Sequence, residues 1–167
     1  MPTLIFKDIL DVQQGIIVHQ INPFVMGAGL AMHIRRRYPK HYEDFKVWRS
    51  KYKEAPELAL GQICITSYYE PLYVVGMCAQ KEYGFAKKEY TQYDAFKESL
   101  KNVDYLALKF NTKLYIPYGI GCGLAGGDWR AILFYIKEIT PYAIVCKLGK
   151  PTNKEKKQFK QWGKIHL

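Results

Sequence analysis

The stretch IIVHQINPFVMGAGLAMH, Ile16 to His33, reads as three consecutive pieces. Ile16 to His19 is a short apolar run suited to a buried strand, and a loop follows it. A helix opens near Gly29, with Leu30, Ile34 and Tyr38 at helical spacing. Gly27 and Gly29 can adopt backbone angles closed to other residues and let a ligand approach the main chain. The first amides of such a helix point outward with a favourable dipole, so an anion could sit there without a lysine. Taken alone, Gly-x-Gly before a helix is as readily a tight turn as a ligand loop.

A second stretch of the same kind, IPYGIGCGLAGGDW from Ile116 to Trp129, again joins a strand to a helix. Gly119, Gly121, Gly123, Gly126 and Gly127 far exceed what a turn needs, and Asp128 suits the N-cap of the helix that follows. In an open α/β sheet, two strand-to-helix loops at one edge form a ligand crevice. Two phosphate-facing loops suggest a diphosphate. Neither loop is a Gly-x-x-x-x-Gly-Lys-Ser/Thr phosphate loop or a Gly-x-Gly-x-x-Gly dinucleotide turn with an acid about 20 positions on, which removes kinase and dehydrogenase readings.

Outward from these loops, six runs rich in Ile, Val and Tyr read as strands: Leu4 to Phe6, Ile16 to His19, Ile63 to Thr66, Tyr73 to Cys78, Leu114 to Pro117 and Ala143 to Leu148. Helical spacing separates them, in Tyr93, Phe96, Leu100 and Val103 and again in Ile132, Leu133, Ile136 and Ile139. The alternation predicts an α/β layered domain with one sheet of roughly six strands. Tyr38-Pro39 closes or kinks the first helix, and Thr140-Pro141 ends another. Thr91 is placed to cap the helix through Phe96, which leaves Lys81 to Tyr90 as a loop. Gly149-Lys150-Pro151 is the one plausible junction, so residues 1–149 are expected to form the domain. Residues 150–167 are then a basic appendage, helical from about Asn153 to Trp162 and docked through Phe159 and Trp162.

The chain of 167 residues is long enough to bury a core without a disulfide or metal staple. No apolar run approaches the roughly 20 residues of a membrane span, and the N-terminus carries no secretory pattern, so a soluble, cytoplasmic protein with no membrane contact is expected. Cys64, Cys78, Cys122 and Cys146 are widely spaced with no metal-binding pattern; the first two and the last sit in apolar stretches as small hydrophobes. No metal is expected. The net charge of +10 points to an anionic partner of unspecified kind. Seven lysines from Lys147 to Lys164 face only Glu155, either as a solvated helix face or as a nucleic-acid contact.

From about Leu4 to Leu148 the sequence resembles the macrodomain family. Lys7-Asp8-Ile9 resembles the family's Gly-Asp-Ile, and His19-Gln20-Ile21-Asn22 resembles the strand end at the distal ribose. Met26 to Ala31 resembles the first binding loop, and Ile120 to Trp129 the second. The closest branch holds terminal ADP-ribose protein glycohydrolase, ADP-ribose 1''-phosphate phosphatase and the antitoxin macrodomains that remove ADP-ribose from DNA. The resemblance implies a three-layer α/β/α fold with a mixed sheet, ADP-ribose as ligand or product, and no cofactor beyond it.

It also implies ligand contacts from Asp8, Ile9, Gln20, Asn22, Met26, Gly27, Ala28 and Gly29. In the second loop the matching residues are Gly119, Ile120, Gly121, Cys122, Gly123, Leu124 and Ala125. The resemblance implies that the glycohydrolases of this branch use a lysine, and some of them an aspartate with it, where this chain has Gln80 and Ala125, and neither replacement can do the same chemistry. His19, Asn22 and Lys81 remain as catalytic candidates. His19 can shuttle a proton near neutral pH or be an ordinary core histidine, and Lys81 can substitute for the lysine only if the loop shifts by one. His33, His41 and His166 show no partner pattern.

The expected function is binding of ADP-ribose with hydrolysis of an ADP-ribosyl linkage or of ADP-ribose 1''-phosphate. The alternative is a reader that releases its ligand unchanged. The expected partner is ADP-ribose or an ADP-ribosylated macromolecule bound by a monomer, with nucleic acid as a further partner of the basic tail.

Overall fold

The alternation in the sequence becomes a sheet whose inner strands all run the same way. The computed structural model describes residues 1–69 and 71–167. Its strands are β1 (Thr3–Phe6), β2 (Gly15–Ile21), β3 (Ile63–Ser67), β4 (Leu72–Cys78), β5 (Leu114–Pro117), β6 (Ile144–Lys147) and β7 (Ile165–His166). They lie in the order β3-β4-β2-β5-β6-β1-β7. Strands β4, β2, β5, β6 and β1 are parallel, and the two outer strands are antiparallel to their neighbours.

The described sheet therefore has seven strands, one more than the sequence runs predict. The extra strand is β7, which pairs Leu4 with Ile165 and closes an edge that β1 would otherwise leave open. A two-residue strand behind a lysine-rich helix carries no periodic signal, and so it is invisible beforehand.

Helices α1 (Gly29–Arg37), α2 (Pro39–Ser50), α3 (Tyr93–Phe110), α4 (Trp129–Ile139) and α5 (Asn153–Trp162) complete the fold. The apolar stripe of α3, Phe96, Leu100 and Val103, packs on Ile16 and Val18 of β2 together with Ile132 and Ile136 of α4. On the opposite face, Ile34 of α1 and Tyr38 at its C-cap meet Ile17, while Phe45 and Trp48 of α2 meet Ile21. The architecture is thus three-layered, α/β/α. Alternation along β2 decides which helix pair each residue faces.

Tyr38-Pro39 does close α1, and Pro39 then opens α2 directly as its first residue. Proline suits that position because its missing N–H would have had no helical partner. The buried stripe of α2 is His41, Phe45 and Trp48, and a histidine at its head hides the helix from a hydrophobic count.

The tail also docks differently from expectation. Thr152 and Glu155 form a reciprocal capping box at the start of α5, and Lys147 bonds Glu155 at 2.9 Å. Phe159 and Trp162 stay 60% and 62% exposed. Ile165, packed with Leu4 and Val145, is the anchor instead.

Because the five inner strands are parallel, the loops after β1, β2, β4, β5 and β6 emerge at one edge of the sheet. The two glycine stretches follow β2 and β5, which are neighbours.

Candidate functional site

Between these two loops lies a cleft with two adjoining lobes. One, of about 220 Å³, is lined by His19, Gly29, Gly119, Gly121 and Gly123 among others. The other, of about 210 Å³, is lined by Asn22, Gly27, Tyr83, Phe85 and Tyr90 among others. Gln20, Ala28, Ala31, Gln80, Leu124 and Ala125 wall both. Four glycines line the first lobe, where the main chain is open to close approach by a ligand, and three aromatic side chains line the second.

The second glycine loop has a shape that side chains impose. Thr91 does not cap α3, whose N-cap is Gln92. Its hydroxyl instead donates to the Gly121 carbonyl at 2.7 Å and accepts from Gln20 Nε2 at 2.9 Å. The turn needs this because the chain at Gly121 is left-handed, with φ 73°, and a Cβ there would lie 2.7 Å from Gln20 Oε1. Gly126, φ 68°, approaches even closer: a Cβ would meet the Lys88 carbonyl oxygen at 2.5 Å. Asp128 caps α4 as the sequence suggests, accepting from the Arg130 amide.

The first loop is held more lightly. Asn22 Oδ1 accepts from the amides of Phe24 and Val25, at 2.8 and 2.9 Å. The Arg49 guanidinium donates to the Phe24 carbonyl. Met26 points into the core beside Phe45 and Trp48 rather than toward the cleft. Gly29 has a left-handed φ of 58°, whereas Gly27 does not need one.

Gln80 stands at the wall with both ends of its amide engaged. Its oxygen accepts from Gln20 Nε2 at 2.9 Å and its nitrogen donates to the Glu82 carbonyl at 3.0 Å. Lys81 lines neither lobe, nor do Asp8, Ile9 and Cys122. Asp8 caps the short turn Ile9–Asp11 through the Leu10 amide, on the same sheet edge but beyond the cleft walls. Burial pushes the thiols of Cys64 and Cys78 up to about 12 and that of Cys146 up to about 11, which suits inert core residues. Cys122, half-buried, is raised to about 11 and contacts the Ile120 carbonyl.

His19 is 1% exposed and faces the α1/α2 layer. Its Nε2 lies 2.9 Å from Nε2 of His41, a partner that no sequence pattern disclosed because it sits on another element 22 positions away. Burial, then the neighbouring His41, holds the His19 imidazole well below the usual histidine range. His41 is brought down to about 4, again by burial, with Asp44 opposing. Both rings are neutral at physiological pH.

The loop from Lys81 to Tyr90 divides its aromatics between two jobs. Tyr90 is buried, and its amide and that of Thr91 bind the Ala125 carbonyl at 2.7 and 3.1 Å, tying this loop to the second glycine loop. Phe85, 82% exposed, and Tyr83, which leans on Phe24 with ring centroids 6.0 Å apart, form the outer wall of the aromatic lobe.

The sequence matches no protein-family model and no curated protein. Solved structures do match. A Bacteroides thetaiotaomicron protein of unknown function is 26% identical with a TM-score of 0.75, over 89% of this chain and 97% of that one. A macrodomain protein from Streptomyces coelicolor, 19% identical, has a TM-score of 0.73 over 90% of this chain and all (100%) of that chain. Thermosipho africanus DarTG, solved in complex with ADP-ribose, is 18% identical with a TM-score of 0.68, over 90% of this chain and 43% of that one. A parallel-centred α/β/α sandwich with paired glycine loops at one edge defines the class of this protein. More particularly, it has the macrodomain fold.

Proposed function

We propose that this chain binds ADP-ribose in the cleft, with the diphosphate against the backbone amides of the two glycine loops. The observation that carries the reading is the pairing of a glycine-walled lobe with a second lobe across shared walls. Such a cleft suits an elongated ligand with a central anion. The ADP-ribose complex of the Thermosipho africanus protein, which shares the fold, supports the same ligand.

Binding without turnover is the reading the cleft's chemistry favours. Gln80 is neutral and hydrogen-bonded through both its oxygen and its nitrogen, Ala125 has no functional group, and Lys81 lies outside both lobes. No Schiff base and no carboxylate general base can form at those positions. One observation favours hydrolysis as a second reading: His19, whose Nδ1 has no partner among the described residues, lines the glycine-walled lobe.

Calorimetric titration with ADP-ribose, followed by assays for release from ADP-ribosylated protein, ADP-ribosylated DNA and ADP-ribose 1''-phosphate, tests both. Binding without release is the expected result; release would move the protein to the hydrolases. In parallel, Gly123→Leu should weaken binding about a hundredfold while leaving the fold intact, because among the described residues no atom beyond the chain neighbours lies within 4 Å of the Cβ position there. Unchanged affinity in that folded variant would put the ligand elsewhere.

A further inference from the structure

Lys147, the last residue of β6, carries the least exposed ion pair among the described residues. Its Nζ donates to Glu155 Oε1 at 2.9 Å, and the two side chains are only 24% and 16% exposed, so solvent screens the pair little. The other carboxylate oxygen, Oε2, accepts from the Thr152 amide at 2.6 Å within the capping box, which fixes the carboxylate to the first turn of α5. The Thr152 amide and then the Lys147 ammonium hold the Glu155 carboxyl below its ordinary range, so the pair stays charged at neutral pH.

The same ammonium stands over the ring of Tyr118, 4.7 Å from its centroid. Tyr118 lines the glycine-walled lobe, and its amide donates to the Cys146 carbonyl at 2.8 Å. Trp129 also leans on this ring, with centroids 4.7 Å apart. Trp129 in turn packs against the cluster of Leu4, Val145 and Ile165 that anchors β7. Both of these contacts on Tyr118 therefore lead into residues 150–167, one through Glu155 of α5 and the other through Ile165 of β7.

We infer that Lys147 and Glu155 are positioning residues for the cleft, which hold the Tyr118 ring as a fixed wall of the glycine-walled lobe. The basic tail is thereby part of the scaffold of the site. Tyr118 is 41% exposed, so without these contacts its ring is free to leave the wall. A ring held in place before the ligand arrives removes an ordering cost from binding. Lys147 acts through the ring and not by its charge on the ligand, because Glu155 neutralises that charge. The inference rests on the ADP-ribose reading and adds to it the residues that shape one wall.

The test is calorimetric titration of the full chain and its variants with ADP-ribose. Glu155→Gln removes the ion pair and keeps the capping box, in which glutamine serves as well as glutamate. It should bind ADP-ribose about fivefold more weakly, and Lys147→Met should lose as much. Lys147→Arg, which can both pair with a carboxylate and stack on a ring, should recover most of that loss. In a Tyr118→Leu background neither Glu155→Gln nor Lys147→Met should weaken binding further. Tighter binding by Glu155→Gln would mean that Lys147 acts directly on the anion, and overturns the inference. Losses as large in the Tyr118→Leu background as in the wild type overturn it too. So does a Tyr118→Leu protein that keeps the wild-type urea midpoint and the wild-type affinity. Each of these leaves the ADP-ribose reading standing, whereas no binding by the wild type overturns that reading and takes the inference with it.

Discussion

The two glycine loops look alike in sequence and are built in opposite ways. The loop after β5 is braced from outside: Thr91 holds Gly121, the Gly127 amide bonds the Gly121 carbonyl at 2.8 Å, and Ala125 accepts two amides from the neighbouring loop. The loop after β2 is tied mainly by its own Asn22, and Ala28, at the N-cap of α1, offers no side-chain cap. The difference assigns separate tasks. A braced loop presents a fixed wall before any ligand arrives, while a lightly held loop with free helix amides adjusts to what lies on that wall.

The largest expected effect comes from breaking the braced loop. Gly126→Ala forces a non-glycine residue into the left-handed region and places its Cβ against the Lys88 carbonyl, an unyielding backbone atom. Together these should cost about 3 to 4 kcal/mol of stability. Urea unfolding measures this, and a loss below about 1 kcal/mol would show that the brace gives way easily.

Acid should distinguish the two sides next. The brace of the second loop is made of hydroxyls and amides that do not titrate, whereas β2, which carries the first loop, rests on the His19–His41 pair. Both histidines have depressed values in the folded protein. Above the ordinary histidine value neither state binds the proton. Below it the unfolded chain does and the native one does not, so stability is lost as pH falls from about 6.5 to about 4. His41 alone accounts for about 3 kcal/mol over that window. The urea midpoint should fall accordingly, less steeply in His41→Gln, and amides of residues 22–29 should lose exchange protection before those of 119–127. Simultaneous loss in both loops would mean that they do not differ in support.

What the sequence disclosed follows the same divide between local and remote causes. Strand, loop and helix around each glycine stretch are legible because a short apolar run, glycines and an apolar stripe are adjacent in the chain. Asp128 was legible as a cap for the same reason. Thr91 misled because Thr with Asp94 three residues on imitates a capping box, while its hydroxyl serves Gly121, 30 positions away. His41 looks partnerless in the sequence since His19 and Thr66 reach it from β2 and β3 only after folding, with Asp44 of its own helix bound to Thr66. Lys81 stayed open until the chain's course past Gln80 fixed it outside the lobes.

The smallest effect tests the adaptable loop and has the opposite sign from the largest. Gly27 is not left-handed, and among the described residues beyond its chain neighbours a Cβ there would come no closer than 4.0 Å to an atom, the nearest being Val25 Cγ2. Gly27→Ala therefore introduces no strain in the native chain and narrows the unfolded ensemble, which should raise stability by about 0.5 kcal/mol. Placed beside Gly126→Ala in the same urea series, it makes the comparison quantitative: one methyl group stabilises the first loop and disrupts the second. If Gly27→Ala instead destabilised the protein as much as Gly126→Ala, the first loop would be as tightly shaped as the second. Its light tethering by Asn22 would then not be what sets its freedom to adjust.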